Sequence, residues 1–383
     1  MHQDHIVIVG AGIVGLSTAF ALLQTGRRNV TVVEQGVVGH ERAASHGTSR
    51  LLRLEYGADQ FYTEMVQLSL QRWRKLEQLS QRCLYTPTGI LVLGNNTEQD
   101  FARTSYDVQR KQGYPTESLA RNACQQRFPQ FSLQDYDFFT YNEEGGMLHA
   151  SECLQTLKGV IRQLGGTILE NQRVIQISHN STLGPIHLRM KGGDELTANR
   201  LVLAVGSWVH HLLGDLRLPI RLTQQHILFF ANLPVSTFGL STFPAFLAGN
   251  ELYGLPIYKR ATCPGSEWLK VASHTFGTDV DPDDPVQIEP QIIDGIVHDL
   301  YRLLPDLQQA QLVHITSCIY DVSPDEGFIL DTLPDDPRIV FATGLSGHGF
   351  KFGLLLGEML SSFLGEYSPP VPMERFRLNR FHL

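Results

Sequence analysis

Apolar residues along this chain fall into short unbroken runs and longer helical stripes, and the two kinds alternate from the start. His5-Ile6-Val7-Ile8-Val9 is a run of strand length. It opens directly into Gly10-Ala11-Gly12-Ile13-Val14-Gly15, after which Val14, Leu16, Ala19, Phe20 and Leu23 recur at helical spacing up to Gly26. A second run, Val30-Thr31-Val32-Val33, ends on Glu34. Farther on, Phe61, Met65, Leu68, Trp73 and Leu76 mark a helix over 59–79, and Gly89 to Leu93 reads as a strand. Residues 97–145 are polar and helical in tendency. A helix from Ser151 to Leu164 is closed by Gly165-Gly166, and short strands follow near 167–170 and 173–178. Leu201 to Val205 and Ile339 to Thr343 are buried-type strands, each running into a glycine, Gly206 and Gly344. Between them, 219–275 alternates like antiparallel strands broken by Pro and Gly, and 288–303 is helical. A last helix covers 351–364.

The first of these segments carries chemistry. Strand, glycine loop, helix, strand and acid is the order of a dinucleotide-binding unit. Gly10 permits the tight turn, Gly12 lets the backbone approach a pyrophosphate, and Gly15 lets helix and strand pack closely. The helix N-terminus offers unpaired N–H groups to phosphate, and Glu34 can bond ribose hydroxyls. The element order predicts an α/β (α+β) fold in which a Rossmann-like dinucleotide domain is interrupted twice. Residues 1–85, 146–218 and 316–383 would form that domain, and 86–145 and 219–315 a mainly antiparallel β-sheet domain for substrate.

Composition narrows the function class. With 383 residues and 42% hydrophobic content, the chain can bury a large core. A net charge of −8 without a basic run argues against nucleic acid as a partner. No apolar stretch approaches membrane-spanning length, so no membrane partner is expected. The N-terminal run is too short for a signal peptide, and the ending Arg380-Phe381-His382-Leu383 does not match a peroxisomal address. Asn95 and Asn180 sit in glycosylation-type triplets, which carry no weight without secretion. Cys83, Cys124, Cys153, Cys263 and Cys318 form no CxxC pair, and this odd, scattered set suits a reduced compartment. A cytoplasmic monomer is the expectation. No HExxH or paired-cysteine pattern supports a metal site.

Only one GxGxxG is present, so a second nucleotide unit for nicotinamide is not visible. The segment Gly344-Leu345-Ser346-Gly347-His348-Gly349-Phe350-Lys351-Phe352 brings glycine backbone to a helix start, which favours negative charge such as that of a reduced flavin. One chain end would hold the pyrophosphate and the other the isoalloxazine, which suits extended FAD. Four stretches then carry a resemblance: Ser45-His46-Gly47-Thr48-Ser49-Arg50-Leu51-Leu52-Arg53, Leu252-Tyr253-Gly254-Leu255-Pro256, Cys318-Ile319-Tyr320 through Pro324-Asp325-Glu326-Gly327 to Asp331, and Ser346 to Phe352. With the N-terminal loop, they resemble the monomeric sarcosine oxidase, N-methyltryptophan oxidase and pipecolate oxidase family of FAD-dependent amine oxidases.

That resemblance implies a glutathione-reductase/p-hydroxybenzoate-hydroxylase type of FAD fold and a set of roles. Cys318 would carry FAD through a thioether to the flavin. Arg53 and Lys351 would grip a substrate carboxylate, with Leu252 and Tyr253 on the substrate wall. Arg50 and Lys270 would lie on the opposite flavin face, where the lysine assists oxygen. His274 would face the substrate, and His46 and Tyr320 would line the flavin. Val174, Gly347, His348, Gly349 and again Lys351 complete the cofactor set. The chain departs from the family pattern at Ser45-His46-Gly47-Thr48-Ser49-Arg50 and at Leu252, changes that look more like the pipecolate-oxidising branch. The implied reaction oxidises the C–N bond of a secondary amino acid to an imine, with O2 as acceptor. Two alternatives remain open: a dehydrogenase passing electrons to a protein or quinone, and a non-enzymatic flavin-binding module.

Overall fold

The computed structural model describes residues 4–179, 184–214, 216–249, 252–365 and 368–381. Asn180 of the second glycosylation-type triplet and the terminal His382-Leu383 lie outside them. Strands Ile6–Val9, Val30–Val33 and Thr167–Leu169 pair in parallel on one side of a six-stranded sheet, and Arg200–Leu203 and Ile339–Thr343 continue it on the other. An antiparallel strand, Ile329–Thr332, closes that edge. Ile6–Val9, Val30–Val33 and Ile339–Thr343 are buried along their whole length, as continuous apolar runs covered on both faces must be.

Helix Ile13–Gln24 follows the first strand and lies against the last long helix, Gly353–Phe363, although the two are more than three hundred residues apart in sequence. The contact is made at glycines. A Cβ on Gly353 would fall 2.3 Å from Ile13, and one on Gly357 would fall 2.4 Å from the backbone of Ser17. The glycine loop at 10–15 and the loop at 344–352 are therefore brought to the same end of the sheet.

The second sheet has eight strands, in the order Gln311–Val322, Arg221–Ala231, Leu269–Ser273, Leu252–Leu255, Ala245–Ala248, Ile90–Gly94, Phe138–Asn142 and Thr116–Ser118. It is antiparallel except between Ala245–Ala248 and Ile90–Gly94. Alternation along each strand gives it two different faces. Leu228, Phe230, Leu252, Leu269 and Val271 pack on the face covered by helix Pro290–Leu303, together with Ile293, Ile296 and Leu300. Ile227, Phe229, Tyr253, Leu255 and Ala272 occupy the other face, on the side of the six-stranded sheet. A separate three-stranded sheet of Val174–Ser178, Ile186–Met190 and Glu195–Ala198 packs beside the first.

Two elements differ from the sequence reading. The polar stretch 97–145 contains helices Phe101–Lys111 and Arg121–Arg127, but also strands Thr116–Ser118 and Phe138–Asn142. Phe138-Phe139-Thr140-Tyr141 has the aromatic and β-branched content of a strand, yet its partner lies some fifty residues earlier, at Ile90–Gly94. Strand Gln311–Val322 crosses the expected boundary at 316, because its whole length pairs with Arg221–Ala231. Among the described residues, no helix is long and apolar enough to cross a membrane.

Candidate active site

A single cavity runs from the glycine loop near the N-terminus to the glycine loop near the C-terminus. Its wall includes Gly10, Gly12, Glu34, His40, Ser45, Val174 and Trp208 at one end, and Cys318, Tyr320, Gly347, His348, Gly349 and Lys351 at the other. Gly15 lies outside it and serves packing, since a Cβ there would sit 1.9 Å from the Gly10 carbonyl oxygen. The Glu34 carboxylate accepts from the N–H of Ala11 at 2.7 Å and of Gly36 at 3.0 Å, and lies 3.3 Å from His40 Nε2. Burial opposes the charge on Glu34, but the bonds to His40, Gly36 and Ala11 outweigh it and hold the carboxyl below its ordinary value. Ser45 Oγ accepts from the N–H of Ile13 at 3.0 Å, which fixes the start of the first helix.

Basic side chains on the same wall form two groups. In the first, the Arg50 guanidinium donates to the carbonyls of Ser49 at 2.9 Å and Ala44 at 2.7 Å and lies 5.4 Å from the Phe350 ring centre. Lys270 Nζ donates to the Ser49 carbonyl at 2.8 Å. Cys318 Sγ sits 3.7 Å from the Ala44 carbonyl that Arg50 also bonds. Burial, and then Arg50, hold the Lys270 ammonium well below its ordinary range. Burial pushes the Cys318 thiol up, while Arg50 and Lys270 pull it the other way.

In the second group, Arg53 and Lys351 lie over one ring, that of Tyr56, at 4.8 and 5.1 Å from its centre. Arg53 Nη1 is buried and has no hydrogen-bond partner. Lys351 is held well below the ordinary lysine range by burial and then by Arg53. His274, beside Tyr253 with ring centres 4.9 Å apart, is lowered to about 3 by burial, then by Arg53 and Lys351. Burial pushes the hydroxyls of Tyr253 and Tyr320 up, and each lies near enough to influence the other.

The C-terminal loop is held by its own contacts. Gly347 has φ +77°, and a Cβ there would fall 2.2 Å from the Tyr320 ring, so only glycine fits. His348 Nε2 faces the Glu326 carbonyl at 3.0 Å, which requires a proton on Nε2 and leaves Nδ1 to accept from the Tyr56 hydroxyl at 3.0 Å. His348 thereby orients Tyr56, the ring beneath both cations.

Two expected residues stand elsewhere. Leu252 does not line the cavity: it is buried in the core on the opposite face of the eight-stranded sheet, because Tyr253 takes the cavity face and neighbours on a strand point apart. The change at Leu252 therefore gives no argument for a pipecolate-type substrate. His46 also lies outside the wall; its ring is exposed and Nδ1–H donates to the Gly39 carbonyl at 2.7 Å, while the neighbouring Ser45 meets the first helix. Sequence reasoning missed Ser45, Tyr56, His40 and Trp208. Ser45 stood inside a motif already singled out, one position from the residue chosen. Tyr56, His40 and Trp208 carried no pattern of their own.

The residues fit an FAD: the glycine loop and helix start suit the pyrophosphate, and a continuous cavity reaches from there to the second glycine loop. A model of the DAO family, described as FAD dependent oxidoreductase, matches residues 5–362. The chain belongs to this family of FAD-dependent oxidoreductases. It is 32% identical to the peroxisomal sarcosine oxidase of Homo sapiens, over 98% of this chain and 95% of that protein. It is 26% identical to the monomeric sarcosine oxidase of a Bacillus species, over 99% and 96% of the two chains. The L-proline dehydrogenase from P. horikoshii shares the fold, with a TM-score of 0.85 at 18% identity, covering 100% of this chain and 98% of the other.

The state of His274 sets a pH dependence. It stays neutral in the folded chain down to about 3, whereas the unfolded chain takes up the proton near its ordinary 6.5. The unfolded state thus binds more protons between these values, so stability falls as pH drops through this window. In His274→Gln, the urea midpoint should decline less steeply between pH 6.5 and the acid limit of folding; a slope equal to wild type would show that His274 does not carry this loss.

Proposed function

We propose that this FAD-dependent oxidoreductase oxidises secondary amino acids such as sarcosine, pipecolate or another N-alkyl amino acid, with O2 as acceptor. The observation that carries the reading is Arg53 Nη1, buried without a partner beside Lys351. A guanidinium fork and an ammonium form a charge-assisted seat for one carboxylate. The similar human and bacterial proteins named as sarcosine oxidases support the substrate class.

In this reading Gly10, Gly12 and the first helix hold the pyrophosphate, Glu34 the ribose, and Val174 packs beside the nucleotide. Gly347, His348 and Gly349, which line the other end of the cavity, would hold the isoalloxazine. FAD supplies a two-electron acceptor. Arg53 and Lys351 fix the carboxylate and so place the adjacent C–H bond; positioning of this kind removes much of the entropic barrier. His274, neutral, can accept a hydrogen bond from the substrate amine, and Tyr253 and Tyr320 wall that end. Two electrons and two protons leave the CH–NH pair to give an imine, and O2 becomes hydrogen peroxide. Lys270 and Arg50 favour negative charge developing on oxygen. Cys318 Sγ would carry the flavin as a thioether; Arg50 and Lys270 pull its thiol toward the thiolate against the burial that pushes it up. The chain works as a monomer in a reducing compartment, the cytoplasm in this reading; five free cysteines suit the compartment.

Peroxide release tests the proposal directly. Sarcosine or pipecolate should yield peroxide, and their methyl esters should react poorly because the ester has no charge for Arg53 and Lys351. Equal turnover of ester and acid would remove the carboxylate seat. Two substitutions should separate the half-reactions in stopped flow. Lys351→Met should weaken substrate binding by about 1.5–3 kcal/mol. Lys270→Met should slow reoxidation by O2 more than reduction by substrate, and similar slowing of both steps in both variants contradicts the assignment.

Acid precipitation tests the thioether. Wild-type precipitate should remain yellow and its intact mass should exceed the chain by one FAD, whereas Cys318→Ala should release its flavin. Release from fully loaded wild type counts against attachment.

A further inference from the structure

One ionisable side chain outside the chemistry above stands out for its position. Glu55 follows Arg53 by two residues and is 2% exposed. Its Oε1 accepts from Gln109 Nε2 at 3.2 Å, while Oε2 is buried and has no hydrogen-bond partner. Gln109 is buried on helix Phe101–Lys111, and its own oxygen accepts from Asn142 Nδ2 at 2.6 Å, so the donor is fixed. Glu55 does not line the cavity; it stands behind the wall. Burial pushes its carboxyl above the ordinary value, and the charges facing it, Arg53 and then Lys351, act against that rise. The Tyr56 hydroxyl is the other titratable group that feels it directly.

A buried carboxyl with an unbonded oxygen is unfavourable unless charge compensates it. Here the compensating charges are the two that the proposed function assigns to substrate. We propose that Glu55 is a specificity-determining positioning residue, the resident anion behind Arg53 and Lys351 that limits this seat to one incoming carboxylate. This inference rests on the carboxylate-seat reading. With Glu55 ionised, two cations face one resident carboxylate, and one substrate carboxylate completes the balance. A second carboxylate on the ligand would enter a desolvated site with no charge left to meet it. Monocarboxylate amino acids are accepted and dicarboxylates are disfavoured.

The test uses the flavin-loaded enzyme with acetate and malonate as probes. Binding is followed by perturbation of flavin absorbance and by competition with sarcosine or pipecolate. Wild type is compared with Glu55→Gln, which keeps the shape, and Glu55→Leu, which keeps only the bulk. At pH 8 both substitutions should raise the affinity for malonate relative to acetate by on the order of tenfold, the effect of one removed charge at short range. In wild type alone, the same ratio should rise as pH falls and Glu55, its carboxyl pushed up by burial, takes up a proton; in the variants it should change less. His274 and His348 also face the seat, answer chiefly to burial, Lys351 and Arg53, and are present in all three proteins; Lys351 feels Glu55 directly, so its shift on substitution is part of the effect the ratio reads. A ratio that is the same in all three proteins, with the same pH course, overturns the role of Glu55. If neither anion competes with substrate in wild type, the carboxylate seat itself is wrong and this inference falls with it.

Discussion

The close approach of the first and last long helices is the contact on which the site depends. Gly353 and Gly357 leave no room for a side chain against Ile13 and Ser17. Any larger residue there would push the two helices apart, at a cost of about 1–3 kcal/mol for overpacking. The same contact fixes the distance between the loop at 10–15 and the loop at 344–352. Each loop is an ordinary strand-to-helix turn taken alone. Held side by side on one sheet end, they form the two ends of a cavity long enough for a dinucleotide.

The second sheet supplies the other wall, and its Lys270 joins Arg50, Arg53 and Lys351 from other segments in a concentration of desolvated positive charge. Lys270 and Lys351 are 3% and 4% exposed, and each is pressed toward its neutral form. Buried ammonium and guanidinium groups are costly unless something answers them. Carbonyls of Ala44 and Ser49 answer Arg50 and Lys270. The Tyr56 ring and Glu55 answer Arg53 and Lys351 only partly, and Arg53 Nη1 is left over. The two groups thus differ in kind. One is satisfied by the protein and beside a thiol; the other is incomplete until an anion arrives. In the function we propose, that asymmetry separates a place for oxygen and flavin chemistry from a place for substrate.

Much of this was legible in the order of residues. The dinucleotide unit needed only local pattern, because strand, tight turn and helix are set by neighbours in sequence, and Ile6–Val9, Ile13–Gln24 and Val30–Val33 form as that pattern predicts. Most long helices fell within a residue or two of expectation for the same reason. The motif stretches also led to the cavity: Arg50, Arg53, Tyr253, Cys318, Tyr320 and Lys351 all line it, as do Lys270 and His274, which only the family resemblance pointed to. Strands Thr116–Ser118 and Phe138–Asn142 were hidden, since their identity lies in pairing with a distant partner rather than in their own polar composition.

By itself, then, the sequence determined the nucleotide-binding start of the fold, the alternation of its elements and the basic residues committed to one chemistry. Tertiary structure alone decided which side of each strand or loop faces that chemistry. Leu252 and Tyr253 are adjacent, yet strand alternation buries one in the far core and turns the other to the cavity. Ser45 and His46 are adjacent, yet only Ser45 reaches the first helix. Glu55 carried no motif, and its meaning appears only when the chain folds it behind two cations that come from residues 53 and 351. Local pattern records what a residue is; direction and company are properties of the packed chain, fixed by contacts between segments that the linear order keeps far apart.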